Sequence, residues 1–234
     1  MEFTGRTVVV TGAAGNLGRA VAGAFASQGA NLVLADRSRE VLAERIGGED
    51  ARRLLVAADL RDRSQARAIV DAALERFARI DALCNLAGGF RMGEAVHETS
   101  DATWEFLLDL NARSLLTMAA AVVPSMIDQG SGAIVNVGAY AALRGAARMG
   151  AYTVAKAAVI RLTEAMSAEL REKGINVNCV LPTIIDTPEN RAAMPDADPS
   201  RWVAPQDLAQ VIVFLSSPRA RAVHGAALPV TGLS

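Results

Sequence analysis

The chain has 234 residues, 51% of them apolar and only 4% aromatic, with a formal net charge of -1. A near-neutral chain of this kind offers no basic footprint for nucleic acid and no polybasic patch for a membrane, so the expected partners are small molecules and copies of itself. The length suits one substantial core rather than two, and a single domain over 1–234 is expected.

Short β-branched or Leu-rich runs recur at 7–10, 31–35, 54–58, 82–86, 133–137, 176–181 and 227–230. Between them lie stretches with helical period at 17–28, 39–46, 64–77, 102–127, 152–173 and 205–215. This alternation predicts an α/β fold, a parallel sheet of about seven strands with helices on both faces. Strands that are apolar throughout, rather than at every second position, fit burial on both sides. The first run begins at Thr7, which leaves no space for a charged head and an apolar signal segment. The longest apolar stretch, 115–127, is interrupted by Thr117, Pro124 and Ser125 and falls short of a bilayer span. A cytoplasmic location is therefore expected.

Cys84 and Cys179 lie inside strand-like runs, where a thiol acts as a small buried hydrophobe rather than a disulfide partner. Met118, Val122 and Met126 share a helical face and read as core. His97 and His224 lack ligands at metal-binding spacing. The charges of Arg61, Asp62 and Arg63 read as a solvated helix start. Segment 183–204 is the one long irregular stretch, because Pro188, Pro195 and Pro199 with Asp186, Asp196 and Asp198 resist helix and strand alike. A loop of that size in a compact domain reads as a lid over a binding site.

The first strand runs directly into TGAAGNLG at 11–18 and then into an amphipathic helix. Glycines at such a junction let backbone N–H groups approach a pyrophosphate at the positive end of the helix. Gly12, Gly15 and Gly18 are the turn residues, with Asn16 and Leu17 between them. The second strand ends at Asp36, about twenty residues further on, where a carboxylate can accept both ribose hydroxyls of an adenosine and repel a 2′-phosphate. NAD is expected over NADP, although Arg37 and Arg39 could pair with a phosphate if Asp36 turned away. The alternative for Asp36 is a cap on the helix at 39.

Tyr152 precedes Lys156 by four residues, so the two share a helix face one turn apart. A phenol with pKa near ~10 is only about 0.1% ionised at neutral pH and is a poor base alone. Bringing it to ~7 requires roughly 4 kcal/mol, about what an ammonium at ~4 Å supplies in a medium of effective dielectric ~20.

Together these segments resemble the short-chain dehydrogenase/reductase family, in its compact single-domain branch, over essentially the whole chain. The resemblance implies a Rossmann-type doubly wound sheet and a homodimer or homotetramer packed through the Ala-rich helices at 102–127 and 152–173. It implies a nicotinamide cofactor held by the glycine loop, by Asp59 with Leu60 at the adenine, and by Asn85, Ala87 and Gly88 of CNLAGG. Asn111 matches the family's proton-relay asparagine. Tyr152 and Lys156 in YTVAK match its catalytic pair, and Pro182, Ile185 and Thr187 match the loop that grips the carboxamide.

One departure stands out. The family's usual serine thirteen residues before the tyrosine is Ala139 here, beside Tyr140, whose hydroxyl is a candidate substitute. Dihydropteridine reductases look alike in carrying alanine at that position, and the segments 138–159 and 181–202 resemble theirs. The expectation is an NAD(H)-dependent oxidoreductase acting on a small carbonyl, alcohol or conjugated ring. The rival is a non-catalytic NAD-binding regulatory protein.

Overall fold

The computed structural model describes residues 1–234. The strands are β1 (Thr7–Thr11), β2 (Asn31–Asp36), β3 (Arg53–Ala57), β4 (Ala82–Asn85), β5 (Gly132–Val137), β6 (Ile175–Pro182) and β7 (Ala227–Val230). They form one sheet in the order β3-β2-β1-β4-β5-β6-β7, and every neighbouring pair is parallel. The helices are α1 (Asn16–Ser27), α2 (Arg39–Ile46), α3 (Arg63–Phe77), α4 (Asp101–Leu108), α5 (Ser114–Gln129), α6 (Gly150–Leu170), α7 (Pro188–Ala193) and α8 (Pro205–Leu215). The α/β reading of the sequence therefore holds.

Alternate residues of each strand point to opposite faces, and the two cores divide accordingly. Val9, Val33, Leu83, Ile134 and Val177 pack with α3, α5 and α6. Val8, Val10, Leu34, Cys84, Val135 and Val180 pack with α1, α2 and α8. All five residues of β1 and all four of β4 are buried. Cys84 and Cys179 are buried free thiols. Met118, Val122 and Met126 are fully buried, as the helical spacing predicts. At the sheet edge, β7 tolerates Pro229 because one side of it needs no ladder bond.

Five expectations need correction. The helix expected at 102–127 is α4 and α5 joined through a π-helical turn at Asp109–Arg113, a rare geometry that tends to mark functional positions. This 29-residue run, Asp101–Gln129, has mean hydropathy 1.5 and is long and apolar enough to cross a membrane, contrary to the estimate from 115–127 alone. Its apolar side packs on the sheet and α3, with 56% of the relevant window buried. The helix expected to reach residue 173 ends at Leu170, and its last turn tightens to a 3₁₀ turn closed by Gly174 at φ +76°.

Segment 183–204 is not irregular throughout. It contains α7, with Pro188 in the first turn, where a missing N–H costs nothing, and Thr187 capping the Asn190 N–H. Finally, the cap of α2 is Ser38, which accepts from Val41 N, so Asp36 is released from the capping role. Asp62 caps α3 as a solvated helix start should.

Candidate active site

Strand order reverses between β1 and β4, so the connections leaving their carboxyl ends diverge and open a crevice. The glycine turn leaves β1 and CNLAGG leaves β4, one on each side of it. Thr11 fastens the two: its Oγ1 accepts from Leu86 N at 3.1 Å and Ala87 N at 3.3 Å. Gly12 sits at φ +63°, and a Cβ there would lie 2.9 Å from Ala87 Cα, so only glycine lets the loops abut. A Cβ at Gly18 would meet the Ala13 backbone at 2.7 Å, which seats α1 tightly under the turn. Gly15 is the residue before α1, and no side chain caps that helix. The first-turn N–H groups of Asn16, Leu17 and Gly18 therefore remain available to an anion.

Asp36, at the end of β2, accepts from Ala14 N at 3.0 Å through one oxygen and from Arg37 N at 2.8 Å through the other. The carboxylate is thus pinned beside the glycine turn. Arg39 is committed to Glu49 at 2.8 Å and to Leu55 O at 2.7 Å, which removes it from any phosphate-binding role in this arrangement. Asp59 is clamped by Arg61, with Nη2 to Oδ2 at 2.6 Å, and this hydrogen-bonded guanidinium holds its carboxyl down at about 2. Leu60 beside it is buried.

The opposite wall gathers residues far apart in sequence. A Cβ on Gly88 would lie 2.8 Å from Asn111 Oδ1 and 3.2 Å from Lys156 Nζ, so these three positions meet. Asn111, in the π turn, is buried and fully engaged: Oδ1 accepts from Gly89 N at 3.2 Å, and Nδ2 donates to Gly89 O at 3.0 Å and Leu107 O at 2.9 Å. Lys156 Nζ donates to Val137 O at 2.8 Å, and burial brings its pKa down to about 8. Tyr152 packs edge-on against Phe90, with ring centroids 4.8 Å apart. Burial pushes its phenol up to about 12. The sequence argument has the ammonium lowering the phenol. In the protein alone the ammonium is turned to a main-chain carbonyl, and desolvation decides the phenol's pKa.

Asn85 turns inward. Its Nδ2 donates to Asn136 Oδ1 at 2.9 Å, and Asn136 Nδ2 donates in turn to Thr163 Oγ1 at 2.9 Å. Its Nδ2 thus ties β4 to β5 and, through Asn136, to α6. Ala139 is buried at the start of the turn after β5 and offers no donor. Tyr140 is 41% exposed and its hydroxyl has no partner in the chain.

Pro182 ends β6. Ile185 bridges to Val203, and Asp186 pairs with Arg191 at 2.6 Å, so 183–204 leaves and rejoins the body at one point. Within it, Glu189 Oε2 accepts from Asn16 Nδ2 at 2.7 Å, which brings α7 against the glycine turn. Sequence reasoning missed Thr11, Phe90, Asn136, Thr163 and Glu189. Thr11 alone was signalled, as the first residue of the glycine motif.

A parallel sheet that opens its switch point beside a glycine turn at a helix N-terminus is the architecture of Rossmann-type nucleotide-binding proteins. The sequence profile of the short chain dehydrogenase family matches residues 6–198, and the chain belongs to that family. Its members are oxidoreductases that bind nicotinamide cofactors. The chain is 32% identical to D-threitol dehydrogenase of Mycolicibacterium smegmatis, covering 99% of this chain and 93% of that protein. Among solved structures it superposes with TM-score 0.91 on a short-chain dehydrogenase/reductase (glucose/ribitol dehydrogenase) of Brucella melitensis, at 35% identity over 99% of this chain and 97% of that one. A 3-ketoacyl-(acyl-carrier-protein) reductase of the same organism, complexed with NADH, matches at TM-score 0.87 and 30% identity over 98% of both chains.

Proposed function

We propose that this chain is an NAD(H)-dependent oxidoreductase acting on a small carbonyl/alcohol or conjugated cyclic substrate, with Tyr152 as general acid and base. The observation that carries the reading is the meeting of Gly88, Asn111 and Lys156 at the crevice, one helical turn from Tyr152. The residues fit a dinucleotide: the space a Cβ would fill at Gly12 and Gly18 is needed by the turn itself, and the open N–H groups of α1 suit a pyrophosphate. Gly12, Gly15, Asn16, Leu17 and Gly18 would hold the diphosphate, Asp36 with Arg37 the adenosine ribose, and Asp59 with Leu60 the adenine. The backbone of Asn85, Ala87 and Gly88, with Lys156, would hold the nicotinamide ribose, and Pro182, Ile185 and Thr187 the carboxamide. Once bound, the cofactor supplies the hydride.

A phenol at about 12 is protonated at neutral pH and ready to give a proton in the reductive direction. In oxidation positive charge has to bring it down, and the Lys156 ammonium one turn away is placed to do so once drawn from Val137 O. Asn111 holds the π turn open beside this pair and would anchor water for proton exchange. The 183–204 segment, tied to the glycine turn through Glu189, acts as the lid. Exposed Trp104, Leu116 and Val154 on α4, α5 and α6 support assembly as a dimer or tetramer of one-domain subunits. A cytoplasmic location remains part of this reading.

Spectrophotometric oxidation of NADH against a panel of diketones, quinones and quinonoid dihydropterin tests the function. Activity on any member excludes the purely regulatory NAD-binding protein. Preference for the dihydropterin favours the dihydropteridine-reductase-like reading, which rests on the missing hydroxyl at Ala139. No turnover of any member, with no uptake of NADH by calorimetry, overturns the assignment.

Two substitutions sharpen it. Asp36→Ala is expected to shift the ratio of kcat/KM for NADH over NADPH toward NADPH by about 10²-fold, because juxtaposed like charges cost several kcal/mol. A wild-type enzyme that already prefers NADPH contradicts the role of Asp36. Ala139→Ser is expected to raise kcat/KM for a plain ketone by about tenfold or more, since one oxyanion donor is worth roughly 10² or more. Unchanged or slower ketone reduction shows a pocket shaped for another substrate.

A further inference from the structure

The cavity beside Tyr152 carries two guanidinium groups, Arg91 and Arg148, neither of which forms a direct ion pair with an acid of this chain. It measures about 150 Å³ and is lined chiefly by 91–94 without Gly93, by Thr99 and Thr103, and by 148–152. Arg91 sits over Phe106, its guanidinium carbon 3.8 Å from the ring centroid, and its donors meet no acceptor in the chain. This cation–π contact restrains the head group, and its N–H donors stay free for an anion.

Arg148 adopts φ +60°, a left-handed backbone that side-chain-bearing residues rarely take. It is held there by a reciprocal pair: Gly93 N donates to Arg148 O at 2.9 Å, and Arg148 Nη1 donates to Gly93 O at 2.8 Å. One donor of five is thereby used, and the head group is fixed at the cavity wall. Backbone strain retained in this way accumulates at binding sites.

The one acid in the lining is already occupied. Glu94 accepts from Ser100 N at 3.1 Å, Ser100 Oγ at 3.0 Å and Thr103 Oγ1 at 3.2 Å. These donors and nearby Arg91 keep its carboxyl below the usual range. The wall is left with one net positive charge next to the phenol. A larger basic cavity, about 430 Å³ at the amino edge of the sheet, is not comparable. There α3, α5, α6 and α8 all end with carbonyl termini that favour cations, and Arg79 is already paired with Asp81 at 2.6 Å.

Building on the oxidoreductase reading above, we propose that the substrate carries a carboxylate held by Arg91 and Arg148, so that the reacting pair is an oxo acid and its hydroxy acid. In reduction the carbonyl carbon gains a hydride from NADH, the carbonyl oxygen gains the proton of Tyr152 Oη, and the carboxylate keeps its charge. Oxidation with NAD reverses each transfer.

The test uses initial rates with NADH for oxo acids from pyruvate to levulinate, each against its methyl ester. Wild type is compared with Arg91→Met, Arg148→Met and Arg148→Lys, and levulinate is titrated into NADH-loaded protein by calorimetry. Wild type is expected to favour acids over esters by about tenfold or more in kcat/KM, since charge-assisted forks bind more strongly than neutral contacts. Either Met variant brings the acid-to-ester ratio to about one, mainly through KM, and Arg148→Lys restores part of it. Levulinate binding that is lost in Arg148→Met supports the proposal even where turnover is slow. Esters reduced as well as acids overturn the carboxylate while leaving the oxidoreductase reading intact. Absence of turnover on every carbonyl together with absence of NADH uptake overturns both.

Discussion

Tyr152→Phe is expected to cut turnover by about 10³-fold while leaving NADH affinity within about threefold, because positioned proton transfer contributes roughly 10² to 10⁴ in rate. The substitution is a clean probe. The phenylalanine ring keeps the edge-on packing against Phe90, at a centroid distance of 4.8 Å in the wild type. The phenol makes no hydrogen bond within the chain, so removing its oxygen leaves no buried partner unsatisfied. A Tm within a few degrees of wild type should accompany the loss, which separates chemistry from folding. Steady-state rates and NADH fluorescence titration measure the two quantities independently. A residual rate above a tenth of wild type would assign the proton to another group, and the only other phenol in the chain is Tyr140.

The second large effect concerns Lys156 and pH. Its ordinary pKa of 10.5 falls to about 8 because burial disfavours the ammonium. Below about 8 both folded and unfolded chains carry the proton, and the folded state bears the full desolvation cost, on the order of 3 kcal/mol. Between about 8 and 10.5 the unfolded chain binds more protons than the folded one, so stability from this group rises with pH. Tyr152 acts in the opposite sense only above its ordinary 10.0, because its folded pKa of about 12 keeps the proton on longer.

Lys156→Met should therefore be more stable relative to wild type at pH 7 than at pH 10, with the gap shrinking by about 2 to 3 kcal/mol. The lost bond to Val137 O costs about 1 to 3 kcal/mol at every pH and shifts the whole curve without changing its slope. Urea unfolding across that range measures the difference. A pH-independent gap would mean that the ammonium is not desolvated as the geometry implies. The same variant should lose most turnover, since the ammonium is the positive charge that α6 itself places one helical turn from the phenol.

Much of this molecule could be read in advance. The seven strands announce themselves because a parallel strand buried on both faces must be apolar at consecutive positions, as in Val8, Val9 and Val10. The glycine turn is legible because only glycine serves where φ is positive and another loop lies against it, as at Gly12. Tyr152 and Lys156 share a face by the geometry of any helix. These are short-range constraints, and a local stretch of chain carries them whole.

Other features depend on which distant segments the packing brings together. Asn85 meets Asn136 because β4 and β5 pair in that register, and nothing within either strand specifies its neighbour. Lys156 turns to Val137 because α6 packs over the end of β5. The partner of Arg148 is Gly93, 55 positions away. Proline content alone argued against α7, whereas Thr187 as cap and Pro188 in the first turn permit it. The sequence by itself determined the order and kind of elements, the turn that suits a phosphate and the residues able to move a proton, since backbone sterics and periodicity act over a few residues. Only the tertiary structure decided which side chains stay free for chemistry and which are spent on the fold, because a hydrogen-bond partner is chosen by the packing of whole layers.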